Sequence, residues 1–363
     1  MGRLFRKTKV ATPKAENVVM NPAKQRFLRL VPVLLSVIVL FLGIVCIFLS
    51  ASFADNVEPS YSWLEQKASA QRLEDSYGAS FVEGSNDGVE YTSAKKGAIY
   101  CEGELKNTTL NETAFTYCRA LRLKRITLDH CHVETKGRSF SELTTIEELY
   151  VISTPLTGNG LSEIVKMPSL KAVSLSSIDN VESIIPMLSK SKSIELLILY
   201  DVKINNEAAK SILKWSQLKG LRAISCQFAS HTVHTIVKAS NLESIQLPES
   251  KFNPSELADL SMLRSLRVLN LMKTPIQDKD LSAVGRLPHL EKLYLQSTAI
   301  SDEGIAHLID LPNLQLISMN HTKVTKRALD LLGKIPDLNR QFVYADNTAI
   351  SEADLEQFRR AKP

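Results

Sequence analysis

The chain repeats itself at a constant interval, and this regularity limits the folds open to it more than any other feature. Residues 263–286, 287–310 and 311–334 align without gaps on the pattern L-x-x-L-x-x-Φ-x-Φ-x-x-T-x-Φ, where Φ is apolar. The fourth position, called the anchor below, recurs at equal intervals as Leu242, Leu266, Leu290, Leu314 and Leu338. Such a period is typical of a solenoid, in which each unit buries its apolar face against its neighbours.

The same frame continues upstream with less regular spacing. Its anchors there are Leu123, Ile146, Leu170 and Ile194, followed by either Leu221 or Leu218. With Leu221 as the anchor, one return segment is three residues longer than usual and the next is three residues shorter. Both frames predict a solenoid of about ten turns over residues 123–360, preceded by a cap region over residues 89–122.

Each unit predicts one short strand and one helical return. In Leu293-Tyr294-Leu295 the two leucines point into the core and Tyr294 points out, because side chains alternate along a strand. A threonine follows at a position called the slot below, where a buried hydroxyl can bond to the backbone of the turn. Capping residues and helical spacing come next. Stacked units therefore predict an α/β fold with a parallel sheet on the concave face and helices on the convex face.

This pattern resembles the leucine-rich repeat, in particular the bacterial form L-x-x-L-x-x-L-x-L-x-x-T-x-I-[ST]-D-x-G-L that is plentiful in Planctomycetes. The matching residues of one unit are Leu290, Leu293, Leu295, Thr298, Ile300, Ser301, Asp302, Gly304 and Ile305. The resemblance is tightest over residues 242–334. The middle turns depart from it, with Ile178, Val202 and Ala229 in the slot. It implies a leucine-rich-repeat solenoid with a binding role.

The N-terminal part of the chain, up to Ala54, has a composition of its own. Residues 1–29 carry eight of the 44 basic residues and one of the 39 acidic ones, which leaves the rest of the chain with a net charge of −2. Residues 30–54 contain no charge, and a helix of this length is longer than a hydrocarbon core of ~30 Å. We expect a basic cytoplasmic tail, a transmembrane helix that acts as a signal anchor, and a juxtamembrane helix and linker over residues 55–88.

This topology predicts a single-pass protein of the cell membrane, whose body from residue 55 onwards lies in the periplasm or outside the cell. Cleavage after Ala54 is the alternative, because Ser52-Phe53-Ala54 offers small residues to a signal peptidase. The product would then be a secreted, soluble repeat protein. In both cases the body has no excess of positive charge, so nucleic acid is not expected as a partner.

No pattern in the sequence predicts an enzyme. His130-Cys131-His132 has the composition of a metal-ligand run, but the repeat frame puts Cys131 in the buried slot and the histidines on opposite sides of it. Acidic residues at 278–280 and 302–303 stand at predicted helix starts, where carboxylates stabilise the helix dipole. The sequence also lacks a phosphate-binding loop, a dinucleotide fingerprint and a nucleophile elbow. We therefore expect no catalytic residue, metal or cofactor.

The predicted binding surface is the concave face, which is formed by the outward-pointing strand residues. Aromatic and aliphatic residues there are of the kind that carries binding energy at protein interfaces. The candidate ligand-binding residues are Tyr150, Ile152, Leu196, Ile198, Tyr200, Met272 and Tyr294. They favour a membrane-tethered module that binds a protein partner. The alternative is a passive envelope or adhesion scaffold that binds a polymer such as a glycan.

Two cysteines flank the start of the repeat region. Cys101 and Cys118 enclose a loop of about 18 residues, for which a disulfide contributes ~3 kcal/mol. The first turn of a solenoid needs a cap over its apolar edge, and an exported domain meets oxidising conditions. The sequence thus predicts a Cys101–Cys118 disulfide. Two free thiols are the alternative, because the chain has five cysteines, an odd number.

The N-terminal prediction is tested by the mass of the mature chain. If residues 30–54 act as an uncleaved anchor, intact-mass and N-terminal peptide measurements will recover the basic tail and the apolar run in the same molecule. A mature N-terminus at Asp55 would instead identify a cleaved signal peptide and a soluble product.

Overall fold

The structure of the protein, a computed structural model, describes residues 63–77, 79–83, 100–134 and 140–361. All described residues belong to one compact unit, which extends from Ser60 to Pro363. The predicted tail and transmembrane span lie outside the described residues. Among the helices that the structure does describe, none has both the length and the apolar character needed to cross a membrane.

The described part alternates strands with helices. The helices are α1 (Trp63–Tyr77), α2 (Glu112–Leu121), α3 (Gly158–Ile164), α4 (Val181–Leu188), α5 (Asn206–Lys214), α6 (Thr232–Ile236), α7 (Leu281–Val284), α8 (Asp302–Ala306), α9 (Lys326–Leu332) and α10 (Glu352–Arg360). Three 3₁₀ helices span Pro254–Met262, Asp278–Asp280 and Arg340–Phe342. The strands are β1 (Ser80–Glu83), β2 (Tyr100–Lys106), β3 (Thr109–Leu110), β4 (Arg125–Asp129), β5 (His132–Val133), β6 (Glu148–Ile152), β7 (Ala172–Ser176), β8 (Leu196–Tyr200), β9 (Lys203–Ile204), β10 (Gly220–Ile224), β11 (Gln227–Phe228), β12 (Ser244–Gln246), β13 (Val268–Asn270), β14 (Lys292–Tyr294), β15 (Leu316–Ser318) and β16 (Val343–Tyr344).

One sheet of twelve strands organises the described part, in the order β1-β2-β4-β6-β7-β8-β10-β12-β13-β14-β15-β16. All neighbours pair in parallel except β1 and β2, which are antiparallel. Each parallel strand belongs to one turn, and the helical segments return on the other side. The predicted α/β leucine-rich-repeat architecture with a parallel sheet is confirmed.

The strand pairing also decides between the two frames left open near residue 220. Leu221 lies opposite Leu197, which is three residues beyond the anchor Ile194. The anchor of that turn is therefore Leu218, and the frame that used Leu221 is wrong. The correction makes the anchors evenly spaced from Ile146 through to Leu338. It also places Cys226 in the slot instead of Ala229, with Ser250 as its equivalent in the next turn.

Where the slot holds a hydroxyl, the side chain bonds to backbone carbonyls, as predicted, whereas Ile178 and Val202 fill the slot of two middle turns with apolar groups. Thr154 Oγ1 lies 2.9 Å from Ile152 O in its own turn and 3.3 Å from Leu128 O in the preceding turn. Ser250 Oγ lies 2.9 Å from Ala223 O in the preceding turn and 3.3 Å from Pro248 O in its own. In the C-terminal turns the bond stays within one turn, as in Thr298 Oγ1 to Leu295 O at 2.6 Å. Each bond satisfies a carbonyl where the strand ends and the chain changes direction.

A left-handed residue follows every parallel strand of the described sheet. These residues have φ between 43° and 60° and are Asn107, His130, Ser153, Ser177, Asp201, Ser225, Glu249, Lys273, Ser297, His321 and Asn347. Glycine is the usual choice for this conformation, yet none of the eleven is glycine. Polar side chains occupy the position throughout, and Asn, Asp and His are the residues that tolerate it best.

The acidic residues of the convex side cap the following turn. Both oxygens of Asp278 accept hydrogen bonds from Ser301, one from its backbone N–H and one from its hydroxyl, each at 2.7 Å. Asp302 repeats this arrangement with Thr325 at 2.8 and 2.6 Å. These carboxylates thus stabilise helix starts, as predicted, and in addition join neighbouring turns to each other.

A ladder of alternating charge runs along the position after each anchor. Its members are Lys124, Glu147, Lys171, Glu195, Lys219, Glu243, Arg267 and Glu291. Glu147 binds Lys124 at 2.7 Å and Lys171 at 3.0 Å. Burial raises the pKa of Glu147, but hydrogen bonds from the two lysines outweigh this effect and hold it below its ordinary value. This alternation is present in the sequence but was not predicted from it.

The N-terminal end is closed differently from the prediction. Residues 100–122, assigned to a cap region, form a further turn whose strand β2 pairs in parallel with β4. Beyond it, β1 covers the edge of the sheet, and Leu73 of α1 is fully buried. Cys118 is a free, buried thiol, and burial raises its pKa to about 12. The predicted bridge from Cys118 to Cys101 is therefore absent from this structure, and apolar packing closes the end.

A conservative substitution in the slot should lower the free energy of unfolding markedly. Thr298→Val keeps the shape of the side chain but removes the donor to the Leu295 carbonyl, and the loss of a buried hydrogen bond costs about 1–3 kcal/mol. Thr127→Val is the matched control, because Thr127 lies on the concave face and should change stability by less than ~0.5 kcal/mol. Urea unfolding of both variants measures the difference. Equal stabilities would show that the slot bond does not support the turn.

Candidate binding surface

The concave face consists of three columns of outward side chains, one from each of three positions along the parallel strands. Strand register aligns Leu196 with Ala172 and Gly220 in the first column, and Ile198 with Ser174 and Arg222 in the middle column. Tyr200 lies between Ser176 and Ile224 in the last column. Each column therefore presents one residue per turn, and residues that are one repeat apart in sequence become direct neighbours.

The N-terminal third of this face is charged. Arg125 donates from Nη1 to Glu102 Oε1 at 2.5 Å and from Nε to Glu148 Oε2 at 2.7 Å. Burial by itself lowers the pKa of Arg125, but its acidic neighbours, Glu148 above all, raise it above its ordinary value and keep the guanidinium charged. Because these charges are already paired within the chain, this third of the face is poorly suited to bind an ionic partner.

Tyr150 belongs to that charged network. Its hydroxyl donates to Glu148 Oε2 at 3.2 Å, and the guanidinium of Arg125 lies 5.4 Å from the centre of its ring. Burial and the neighbouring Glu148 raise its pKa to about 12, so the hydroxyl stays protonated at neutral pH. Tyr150 was predicted to be a binding anchor that faces solvent. The structure shows a half-buried ring whose polar atom already has a partner.

The middle of the face is aliphatic. Leu196 lies over Gly220, where an added Cβ would come within 2.8 Å of Leu196 Cδ1. Ile198 is buried beside Arg222 in the middle column, and Tyr200 is 45% exposed at the edge. We call the surface formed by Ile152, Leu196, Ile198, Tyr200, Ile224 and Met272 the aliphatic strip. Five of these six residues were predicted from the sequence; Ile224 was missed because the wrong frame had displaced it.

Arg222 places one positive charge inside the aliphatic strip. It pairs in register with Ile198 on one side and Gln246 on the other. Burial lowers the pKa of its guanidinium, an effect that Tyr150 partly offsets. The repeat pattern did not predict this residue, because only the corrected frame turns its side chain outwards.

The C-terminal end of the face is aromatic. Burial and the nearby Tyr344 raise the pKa of Tyr294 above its ordinary value. Tyr344 is 36% exposed and Phe342 is 44% exposed. The predicted candidate Tyr294 therefore shares this end of the face with two exposed aromatic residues that were not predicted. They lie in the last turn, where the 3₁₀ helix Arg340–Phe342 shifts the strand by two positions relative to the repeat frame.

Cys131 and His130, which were considered as metal ligands, contact other groups of the protein. Cys131 is buried in the slot, and its Sγ lies 3.2 Å from Leu105 O. His130 is exposed, and its Nδ1 lies 2.6 Å from Asp129 Oδ1. Within the described ranges, no group of three or more His, Cys, Asp and Glu residues is placed to hold a metal ion.

A match to a protein-family model supports the repeat assignment. The leucine-rich-repeat family model matches residues 263–285 and 286–308. Comparison with curated proteins gives no match. An internalin (inlF) from Listeria monocytogenes is similar in structure, with 15% identity, a TM-score of 0.42, and coverage of 62% of this chain and 69% of the internalin. Internalin C2 from the same organism has 21% identity, a TM-score of 0.35, and coverage of 61% and 80%.

The different surroundings of Tyr150 and Tyr200 predict different effects on stability. Tyr150→Ala removes a half-buried ring and the hydroxyl that bonds to Glu148, so it should lower the free energy of unfolding by about 1–3 kcal/mol. Tyr200→Ala removes a more exposed ring and should change it by less than ~0.5 kcal/mol. Thermal midpoints of the two variants measure this. A larger loss for Tyr200→Ala would show that Tyr200 supports the fold.

Proposed function

We propose that this chain is a protein-binding scaffold whose ligand surface is the aliphatic strip of the concave sheet. The observation that carries the proposal is the position of this strip. It lies between a charged third whose ions pair internally and an aromatic end, and it leaves Tyr200 and Met272 accessible to solvent. Solvent-accessible apolar side chains, and aromatic ones above all, are the groups that carry binding energy at protein interfaces.

The proposal includes membrane tethering. Residues 30–54 would anchor the chain, the basic tail would remain in the cytoplasm, and the repeats would face the periplasm or the exterior. The long uncharged stretch directly after a basic flank supports this topology. A tethered solenoid would act by presenting its concave face to a partner and would need no catalytic group.

The decisive experiment measures affinity for a purified partner. Crosslinking and affinity capture with the full-length chain would first identify the partner. Its affinity would then be compared for Tyr200→Ala, Met272→Ala and Met262→Ala. Met262 is the matched control, because this methionine is 51% exposed on the return segment, away from the concave face.

We expect Tyr200→Ala to weaken binding by at least ~2 kcal/mol, about 30-fold, as loss of an aromatic anchor does at a hot spot. Met272→Ala should weaken binding to a smaller extent, and Met262→Ala should leave it unchanged. Normal binding by both concave variants would exclude the strip as the ligand surface. If only Met262→Ala lost binding, the ligand-binding surface would lie on the convex side.

A further inference from the structure

A column of exposed basic residues runs along the edge of the solenoid where the return helices end. Its members stand four residues before the anchors, one per turn, and are Lys166, Lys190, Lys214, Lys238, Arg286 and Lys334. All six are exposed. Glu142, which pairs with Arg119, stands in the column before Lys166, and Met262 and Asp310 interrupt it further along, so its longest unbroken basic part consists of the four lysines 166–238. We call these four lysines the basic row.

Helix dipoles account for part of this pattern. Lys166, Lys190 and Lys238 each stand two residues beyond the end of a helix, and Lys214 is the last residue of α5. A cation at a helix C-terminus is stabilised by about 0.3–1 kcal/mol. The helix dipole does not explain why Lys192 and Arg264 are basic, because each lies on the same edge between a helix and the following strand.

Little negative charge on this edge compensates the row. Lys166 binds Glu163 at 2.9 Å, and Lys238 Nζ lies 2.8 Å from His234 Nε2. Within the described residues, Lys190, Lys192 and Arg264 form no ion pair. The neighbouring lysines of the alternating ladder are already paired with glutamates. The positive charge of the edge therefore resides in the row and its two companions.

The shape of the edge indicates the kind of partner. The cations follow a single line, one turn after another, and exposed serines at 216, 240 and 265 border it. Trp215 lies on this edge with its ring fully buried, so it cannot stack on a base. Single-stranded nucleic acids rely on such stacking. A line of cations with hydroxyl neighbours fits an extended chain that carries regular negative charges and hydroxyls.

We propose that the basic row binds an acidic polysaccharide, which lies along the edge and crosses successive turns. The site is separate from the aliphatic strip, because the row stands at the ends of the return helices and the strip on the sheet. A protein partner and an acidic polymer could therefore bind at the same time. Neutralising the row should leave protein binding at the strip unchanged.

The test compares two variants of the full-length chain with equal net charge. One carries Lys→Gln at 166, 190, 214 and 238. The control carries Lys→Gln at 203, 251, 279 and 323, four lysines that are exposed elsewhere on the solenoid. A heparin oligosaccharide is the probe, and its affinity is measured over a range of salt concentrations. The basic tail is present in both variants and contributes the same background.

We expect the row variant to bind heparin at least tenfold more weakly and with a shallower salt dependence, because fewer counterions are released. The control should bind as the unmodified chain does. Equal weakening of both variants would overturn the proposal, since net charge alone would then explain binding. Tighter binding of duplex DNA or of phosphatidylserine vesicles than of heparin, lost in the row variant, would also overturn it in favour of those partners.

Discussion

The solenoid depends on one turn that the chain makes directly after each strand. There the backbone enters the left-handed region, and the slot side chain satisfies a carbonyl that the turn leaves without a strand partner. Without that bond, a buried carbonyl would lose its hydrogen bond to water and gain nothing in return. The left-handed residue recurs after every parallel strand of the described sheet, whereas Ile178 and Val202 fill the slot of two turns without a donor. The strands stay in register through all these turns, and the concave columns and the basic row exist only as a result of this register.

The sequence was sufficient to predict the repeat, the alternation of inward and outward side chains, and the threonine slot, because each is expressed within a single repeat. The error at Leu221 also has a physical origin. Leucines occupy both the anchor and the position three residues later, so a shift of three residues hardly changes the apolar pattern. Cys226 could have settled the frame, because Cys131 occupies the slot of an earlier turn.

The surroundings of individual site residues could not be predicted in the same way. Tyr150 meets Arg125 and Glu148, and the contact with Arg125 crosses from one turn to the next. Whether an outward tyrosine is a free anchor or part of an ion network depends on which residues stand beside it in the next turn. Tyr200 is adjacent to a serine and an isoleucine and remains accessible. The two tyrosines look alike in sequence and differ in what they can do.

The alternating charge ladder implies a rule for how this protein can change length in evolution. Loss or duplication of one turn would bring two like charges together, for example Lys171 beside Lys219 if a single unit were removed. Loss or duplication of two consecutive turns would restore opposite charges at the junction. Turns should therefore be gained or lost in pairs, and relatives of different length should differ by even numbers of repeats across this region.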